Sequence, residues 1–390
     1  MSAGDASVGG ALAGVRVLDL SRQAPGPYCS MLMADFGADV ILVEPPGGST
    51  RGAETNVYWE LERDPSVSRL AGLRRNKRSI MLDLKSGEDR AVMHRLIAGA
   101  DVLLEGFRPG VAARLGVDWP ACHALNPRLV YCSLTGAGQD GPGAQAAGHD
   151  INYLAQTGVL ELIADREGRP VIPINLVADF AGGGLMAAYA VMVALLHRER
   201  SGVGQRVDLA MVDGTLSLLT HAASLYFARD ADLRAGSFFL SGQLPQYNVY
   251  RCADGRWVAV GALEPWFYDE LMRRTGRADL TGAHRDPARA EVVADHLAGW
   301  FAARGGAEAV ALLEGEDVCV TLVATFDEAM RLAEERGMIA RLAPEAPMVG
   351  AAAKLSATPG RVWRQPPEVG EHSDEIRAEV SGGRAEVSGG

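Results

Sequence analysis

An α/β fold, with a large domain on a mainly parallel sheet followed by a smaller α+β domain, is what this sequence predicts. Three observations carry the prediction. Short apolar, β-rich runs alternate with helical stretches through the first half of the chain. The alternation ends after a long apolar helical stretch and one more strand. A hairpin signature and two further helical stretches then follow.

The elements read in order as follows. A strand over 15–20, a helix over 27–36 and a strand over 40–44 make the first βαβ unit. A helix over 88–98 and strands over 101–107 and 129–134 continue it, so the layer order is expected to be Rossmann-like. The apolar helix over 184–197 and the strand over 205–211 close the large domain, assigned to 12–212 with a return over 341–376. A helix over 215–228, within a connecting segment at 213–244, reads as a linker. Residues 245–340 then form the small domain. Its hairpin pairs 249–253 with 257–260 across Asp254-Gly255, whose residue types tolerate the positive φ of a tight turn. Helices over 265–275 and 288–303 complete it. Residues 1–11 and 377–390, the latter carrying RAEVSGGRAEVSGG, have too little apolar surface to hold a fold and are expected to be disordered. Residues 47–69 lack periodicity and are expected to form a long loop or short helix.

With 390 residues and 48% hydrophobic content, the chain can bury a large core. Five scattered cysteines without a C-x-x-C pair argue against a disulfide framework and a zinc site, and fit a reducing compartment. The amino terminus has no basic flank leading into an apolar run, and no stretch reads as the roughly 20 apolar residues of a membrane span. A cytoplasmic protein without a membrane partner is therefore expected. A net charge of -11 repels phosphate backbones, which argues against a nucleic-acid partner and requires local cations for any anionic ligand.

The candidate chemistry sits at three places. His149, in Gly148-His149-Asp150, stands at a helix entrance, where backbone N–H groups of the first turn can polarise an oxygen; the local sequence alone favours the plainer reading of Asp150 as an N-cap and His149 as a loop residue. Asp179 lies beside a glycine cluster at the start of the apolar helix, where a cap is again the plain alternative. Glu264 precedes Pro265 at a helix start. Cations for an anionic ligand gather at Arg74, Arg75, Lys77 and Arg78, with Lys85, Arg108 and Arg114 further along. Phosphate-loop, nucleophile-elbow and HExxH motifs are absent from the sequence, and no G-x-G-x-x-G follows the first strand, so a Rossmann-like sheet here does not imply a dinucleotide.

The runs LAGVRVLDLSRQAPGPYCSMLMADFGADVILVEPPGG, RNKRSIMLDLKS, GFRPGVAARLGV, NPRLVYCSLTGAGQDGP and GEHSDEI resemble the class III coenzyme A transferase family, over about residues 12–376. Within it, AGHDINYLAQTG, NLVADFAGGGLM and VGALEPWFY resemble the α-methylacyl-CoA racemase branch. The resemblance implies an interlocked homodimer with a Rossmann-like domain in each chain. It implies that His149 and Asp179 are two bases on opposite faces of an acyl α-carbon, and that Glu264 orients the histidine, from the partner subunit. Arg114 is then near the acyl site, and the Asp150 backbone N–H is the candidate donor to the thioester oxygen. The coenzyme A moiety of the substrate is carried over to Arg108, Asp83 and Lys85, with no further cofactor and no metal. Where the branch often has a basic residue after its second strand, this chain has Glu44-Pro45-Pro46, so Arg74, Arg75, Lys77 or Arg78 is the expected replacement.

Two other readings stand beside the racemase. A coenzyme A transferase would use Asp179 as a nucleophile that carries the acyl group as a mixed anhydride. A non-catalytic coenzyme A-binding or regulatory dimer would need none of this chemistry.

Overall fold

The computed structural model describes residues 9–46, 72–165, 168–228 and 233–382. Two compact units make up the chain. One comprises Met1–Thr157, Ile174–Leu218 and Ala333–Gly390; the other comprises Gly158–Pro173 and Leu219–Leu332. One boundary falls inside the segment read as a linker, whose described residues take in the end of the helix Met211–Leu218, the helix Thr220–Ala228 and the short helical turn Phe239–Gln243. Residues 158–173, assigned to the large domain by sequence, belong to the second unit.

The first unit is built on a six-stranded sheet of β1 (Arg16–Asp19), β2 (Asp39–Glu44), β3 (Lys77–Met81), β4 (Val102–Glu105), β5 (Val130–Thr135) and β6 (Arg206–Ala210), in the order β3-β2-β1-β4-β5-β6. Every pair is parallel, with Leu18 opposite both Ile41 and Leu103. Parallel strands linked by helical crossovers are covered on both faces, which is why Val17, Leu18, Leu103 and Val130 are fully buried. Strand order reverses between β1 and β4. In doubly wound sheets ligands bind outside the carboxyl ends of the strands at such a reversal.

β3 was not foreseen, because its sequence KRSIM reads as a charged run. Its basic residues are turned inward instead of toward a ligand. The Arg75 guanidinium grips Asp35 with bonds of 2.9 and 2.6 Å, and Arg78 pairs with Asp39, Glu375 and Glu379. Arg74 pairs with Glu44 at 2.9 Å. Lys77 is fully buried and donates to Ser30 Oγ at 2.7 Å and the Pro27 carbonyl at 2.9 Å. Buried cations are held by complementary acceptors because a lone buried charge costs several kcal/mol. Arg75 and Lys77 are therefore structural ion-pair and hydrogen-bonding residues, and the expectation that they bind coenzyme is corrected.

The carboxyl-terminal prediction is corrected as well. Residues 377–382 belong to the helix Ser373–Gly382. Ile376 is fully buried, Val380 packs against the same core, and Arg377 reaches Asp89 at 2.6 Å. One narrow apolar stripe with flanking ion pairs docks this helix, so its low apolar content misled the reading. Residues 383–390 lie outside the described residues, as do 1–8 and the whole 47–69 segment. Residues 9–11 are described, and the Gly10 carbonyl accepts from Ala13 N–H at 3.1 Å.

The apolar helix is longer than expected. The helical run extends over Leu176–Ser201, 26 residues, and is long and apolar enough to cross a membrane by length and composition alone, where the sequence was expected to hold no such span. Its end is tied to the sheet, since Arg198 is buried and bonds Asp101 at 2.7 Å. Leu185, Tyr189, Val193 and Leu196 leave an exposed apolar stripe along it.

In the second unit β7 (Tyr247–Arg251), β8 (Trp257–Gly261) and β9 (Val320–Leu322) form an antiparallel sheet. The β7–β8 turn uses Gly255 at φ 82°, as Asp-Gly predicts. Helices Pro265–Arg274 and Ala290–Ala302 flank it, and Tyr250 stacks on Phe301 with centroids 5.4 Å apart.

Candidate active site

At the strand-order reversal lies a cavity of about 520 Å³. The turn after β1 supplies Ser21, Arg22 and Gln23, the turn after β4 supplies Phe107 and Arg108, and His149, Tyr153 and Asp179 close the remaining side. All of these belong to the first unit.

His149 is placed by its backbone. It caps the helix Asp150–Gln156 with extended φ/ψ of -124° and 176°, so the histidine, and not Asp150, is the N-cap. Its N–H donates to Asn152 Oδ1 at 3.0 Å, and the preceding carbonyl, of Gly148, accepts from the Tyr153 hydroxyl at 2.9 Å. The peptide carrying His149 is thus clamped at both its polar groups, while the imidazole side chain is exposed toward the crevice.

Asp179 is placed by an unusual helix. Leu176–Leu185 is π-helical and runs into the α-helix Met186–Ser201, so the helical backbone starts eight residues before the predicted 184. Wide π-turns are uncommon and concentrate at functional sites. Here close packing accompanies the turn. A Cβ on Gly214 would overlap the Gly182 carbonyl, and one on Gly182 would stand 2.6 Å from Thr215 Oγ1. The two backbones touch, which only glycine permits. On the other side, Phe180 meets Tyr28 edge-on at 4.8 Å. Asp150 ties the two halves together: its buried Oδ1 accepts from the N–H groups of Ala178 at 2.9 Å and Asp179 at 2.8 Å.

Burial raises the Asp179 carboxyl above the ordinary range, and the Asp150 charge adds to this; the 3.3 Å hydrogen bond from Asn175 and the proximity of His149 act the other way. The crevice therefore holds a carboxyl with increased proton affinity and an imidazole. Such a pair can take and return protons at a bound substrate.

The remaining predicted residues divide. Arg108 lines the cavity and is exposed. Asp83 and Lys85 follow the edge strand β3, where Asp83 Oδ1 accepts from the Lys85 N–H at 3.0 Å, and they do not line the cavity. Arg114 is exposed in the last turn of Val111–Leu115, also outside the lining. Glu264 caps Pro265–Arg274 in the second unit. Sequence reasoning missed Arg22, Gln23 and Tyr153. The signal for the first two was SRQAPGP directly after the first strand. This turn rests on Asp19, which accepts the Ser21 N–H at 2.9 Å and the hydroxyls of Ser21 and Ser30, and on Lys77 beneath them. The use of Lys77 is thus to support the cavity wall from below.

A doubly wound parallel sheet with an acid–base crevice at its strand-order reversal defines an α/β protein built for small-molecule chemistry. The family model described as CoA-transferase family III matches residues 12–373, and the chain belongs to that family. It is 39% identical over 381 residues to a Homo sapiens protein named alpha-methylacyl-CoA racemase, covering 97% of this chain and 95% of that one. It is 31% identical over 388 residues to succinyl-CoA–D-citramalate CoA-transferase of Chloroflexus aurantiacus, covering 94% and 93%. Among solved structures, a CAIB/BAIF family protein from Brucella suis superposes with a TM-score of 0.81 at 28% identity, covering 95% of this chain and 100% of that one.

Proposed function

We propose that the protein inverts the α-carbon of 2-methylacyl-CoA thioesters by proton transfer on two faces through an enolate. One observation carries the reading: His149 and a carboxyl of raised proton affinity, Asp179, line one crevice. Inversion requires a proton to leave one face and another to arrive on the opposite face, and a single base tends to return its own. Neutral His149 takes the α-proton while protonated Asp179 donates; the reverse reaction starts from His149 protonated and Asp179 ionised. The electron pair left on the α-carbon delocalises onto the thioester oxygen as an enolate, and the Asp150 N–H, which by position has no intrahelical partner, is the proposed donor to it. Glu264 of a second copy of the chain would orient His149 in this reading, and Arg114 would stand near the acyl group.

The second reading, coenzyme A transfer through an Asp179 anhydride, is supported by the transferase names among the relatives. The two part on the acceptor. Incubation with succinate and a 2-methylacyl-CoA should yield no succinyl-CoA above background, and its stoichiometric formation would favour the transferase.

Arg108 is proposed to hold the coenzyme A portion at the cavity rim, with Asp83 and Lys85 as further contacts. Arg108→Ala is expected to raise KM about tenfold with kcat nearly preserved, since a charge-assisted bond made equally in ground and transition states is lost. Steady-state kinetics check this; equal falls in kcat and kcat/KM would place Arg108 in the chemical step.

The protein is further proposed to act as a homodimer. The exposed stripe of Leu185, Tyr189, Val193 and Leu196 supports this, because contiguous apolar surface favours burial against a partner. Sedimentation velocity should show a dimer at assay concentrations, and a fully active monomer would refute it.

A further inference from the structure

Asp150 is 6% exposed, and its two carboxyl oxygens are treated very differently. Oδ1 accepts both the Ala178 and the Asp179 N–H, whereas Oδ2 is buried with no hydrogen-bond partner among the described residues. A buried acceptor without a partner is expensive, and persists where something other than stability keeps it. Asp150 is also the chain neighbour of His149. The backbone that bears the histidine and the backbone that bears Asp179, thirty residues apart, are thus joined through one side chain.

We infer that the Asp150 carboxylate is the positioning residue of this site: it fixes Asp179 against His149 by accepting the two N–H groups. This rests on the two-base reading and adds to it a side-chain role distinct from that of the Asp150 N–H. The π-turn needs such a holder. Its first N–H groups have no partner within the turn, and the Asp150 oxygen supplies one to each of two successive residues. A single acceptor on consecutive N–H groups also fixes the direction in which the Asp179 side chain leaves the backbone.

The charged and titratable groups that face Asp179 are few. Asp150 and His149 act on it directly, with opposite signs. Tyr153 feels both Asp179 and Arg108. From the helix Pro25–Asp35 the neighbour is Tyr28, against Phe180, and from Met211–Leu218 it is Gly214 and Thr215, which carry no charge. Removing the Asp150 charge therefore takes away one of the two influences that raise Asp179, leaving burial to raise it and the Asn175 hydrogen bond and His149 to lower it.

Two substitutions separate geometry from charge. Asp150→Asn retains an acceptor oxygen and removes the charge, and Asp150→Ala removes both. The measurement is α-proton exchange of (2R)- and (2S)-2-methyldecanoyl-CoA in deuterated water as a function of pH, with thermal unfolding of each variant followed in parallel. The Asn variant should lose the least exchange, and the limb of its profile set by Asp179 should move to lower pH, because the Asp150 charge that raises Asp179 is gone. The Ala variant should lose exchange from the Asp179 face at least tenfold more than from the His149 face. Equal losses on both faces with no displacement of the profile, or no loss in either variant, would overturn the inference. If the unsubstituted protein exchanges neither epimer, the two-base reading itself fails. The inference is then judged on acyl transfer to succinate, which must fall in Asp150→Ala and be restored in Asp150→Asn if the carboxylate positions Asp179, and must fall equally in both if it does not.

Discussion

Replacing His149 by alanine is expected to cut racemisation roughly a thousandfold, the range general acid–base groups supply, and Asp179→Asn should do the same. The defects should differ in stereochemistry. In deuterated water His149→Ala should lose exchange mainly from the 2S epimer and Asp179→Asn mainly from the 2R epimer, the assignment the family resemblance implies. Exchange on the surviving face needs one base and the enolate donors only, so it can persist while inversion collapses. Nuclear magnetic resonance of the recovered thioesters distinguishes the two cases. Loss of acyl transfer in Asp179→Asn, with exchange and inversion intact in His149→Ala, would replace the racemase reading by the transferase one.

The second large effect concerns a residue with no chemistry of its own. Gly214→Ala should destabilise the first unit by roughly 2–3 kcal/mol, because the new methyl overlaps the Gly182 carbonyl and one backbone must move. Gly182 lies three residues beyond Asp179 in the same π-turn, so that movement should reach the carboxyl. A displacement near 1 Å can cost about a hundredfold in rate. Urea unfolding and α-proton exchange on the same variant measure both consequences. Unaltered stability and rate would mean that the Gly182–Gly214 contact does not hold the turn.

Much of the sheet was legible because parallel strands buried on both faces are near-continuous apolar runs, as in 15–20 and 129–134. β3 was not, since four of its five residues, Lys77, Arg78, Ser79 and Ile80, are buried and three of those are polar. Their partners, Asp19, Asp39, Glu44 and Glu379, lie far along the chain, and one sequence does not reveal distant pairs. The same limit explains Arg75 and Lys77: a basic run looks like a phosphate site until its carboxylates are known. At the crevice, His149 and Asp179 were readable through their motifs. The inward turn of Asp150 was not, because its acceptor role depends on N–H groups 28 and 29 residues away. The π-turn was invisible for a related reason: glycines at 182–184 signal close approach but not which backbone approaches.

If one crevice serves both faces of one α-carbon, either epimer must reach the same enolate. The most direct test gives the unsubstituted protein each pure epimer of a 2-methylacyl-CoA in deuterated water and follows configuration and deuterium content together. Both epimers should converge on the same mixture, with one deuterium at the α-carbon of each inverted molecule. Retention of configuration and of the α-proton in both epimers would contradict it.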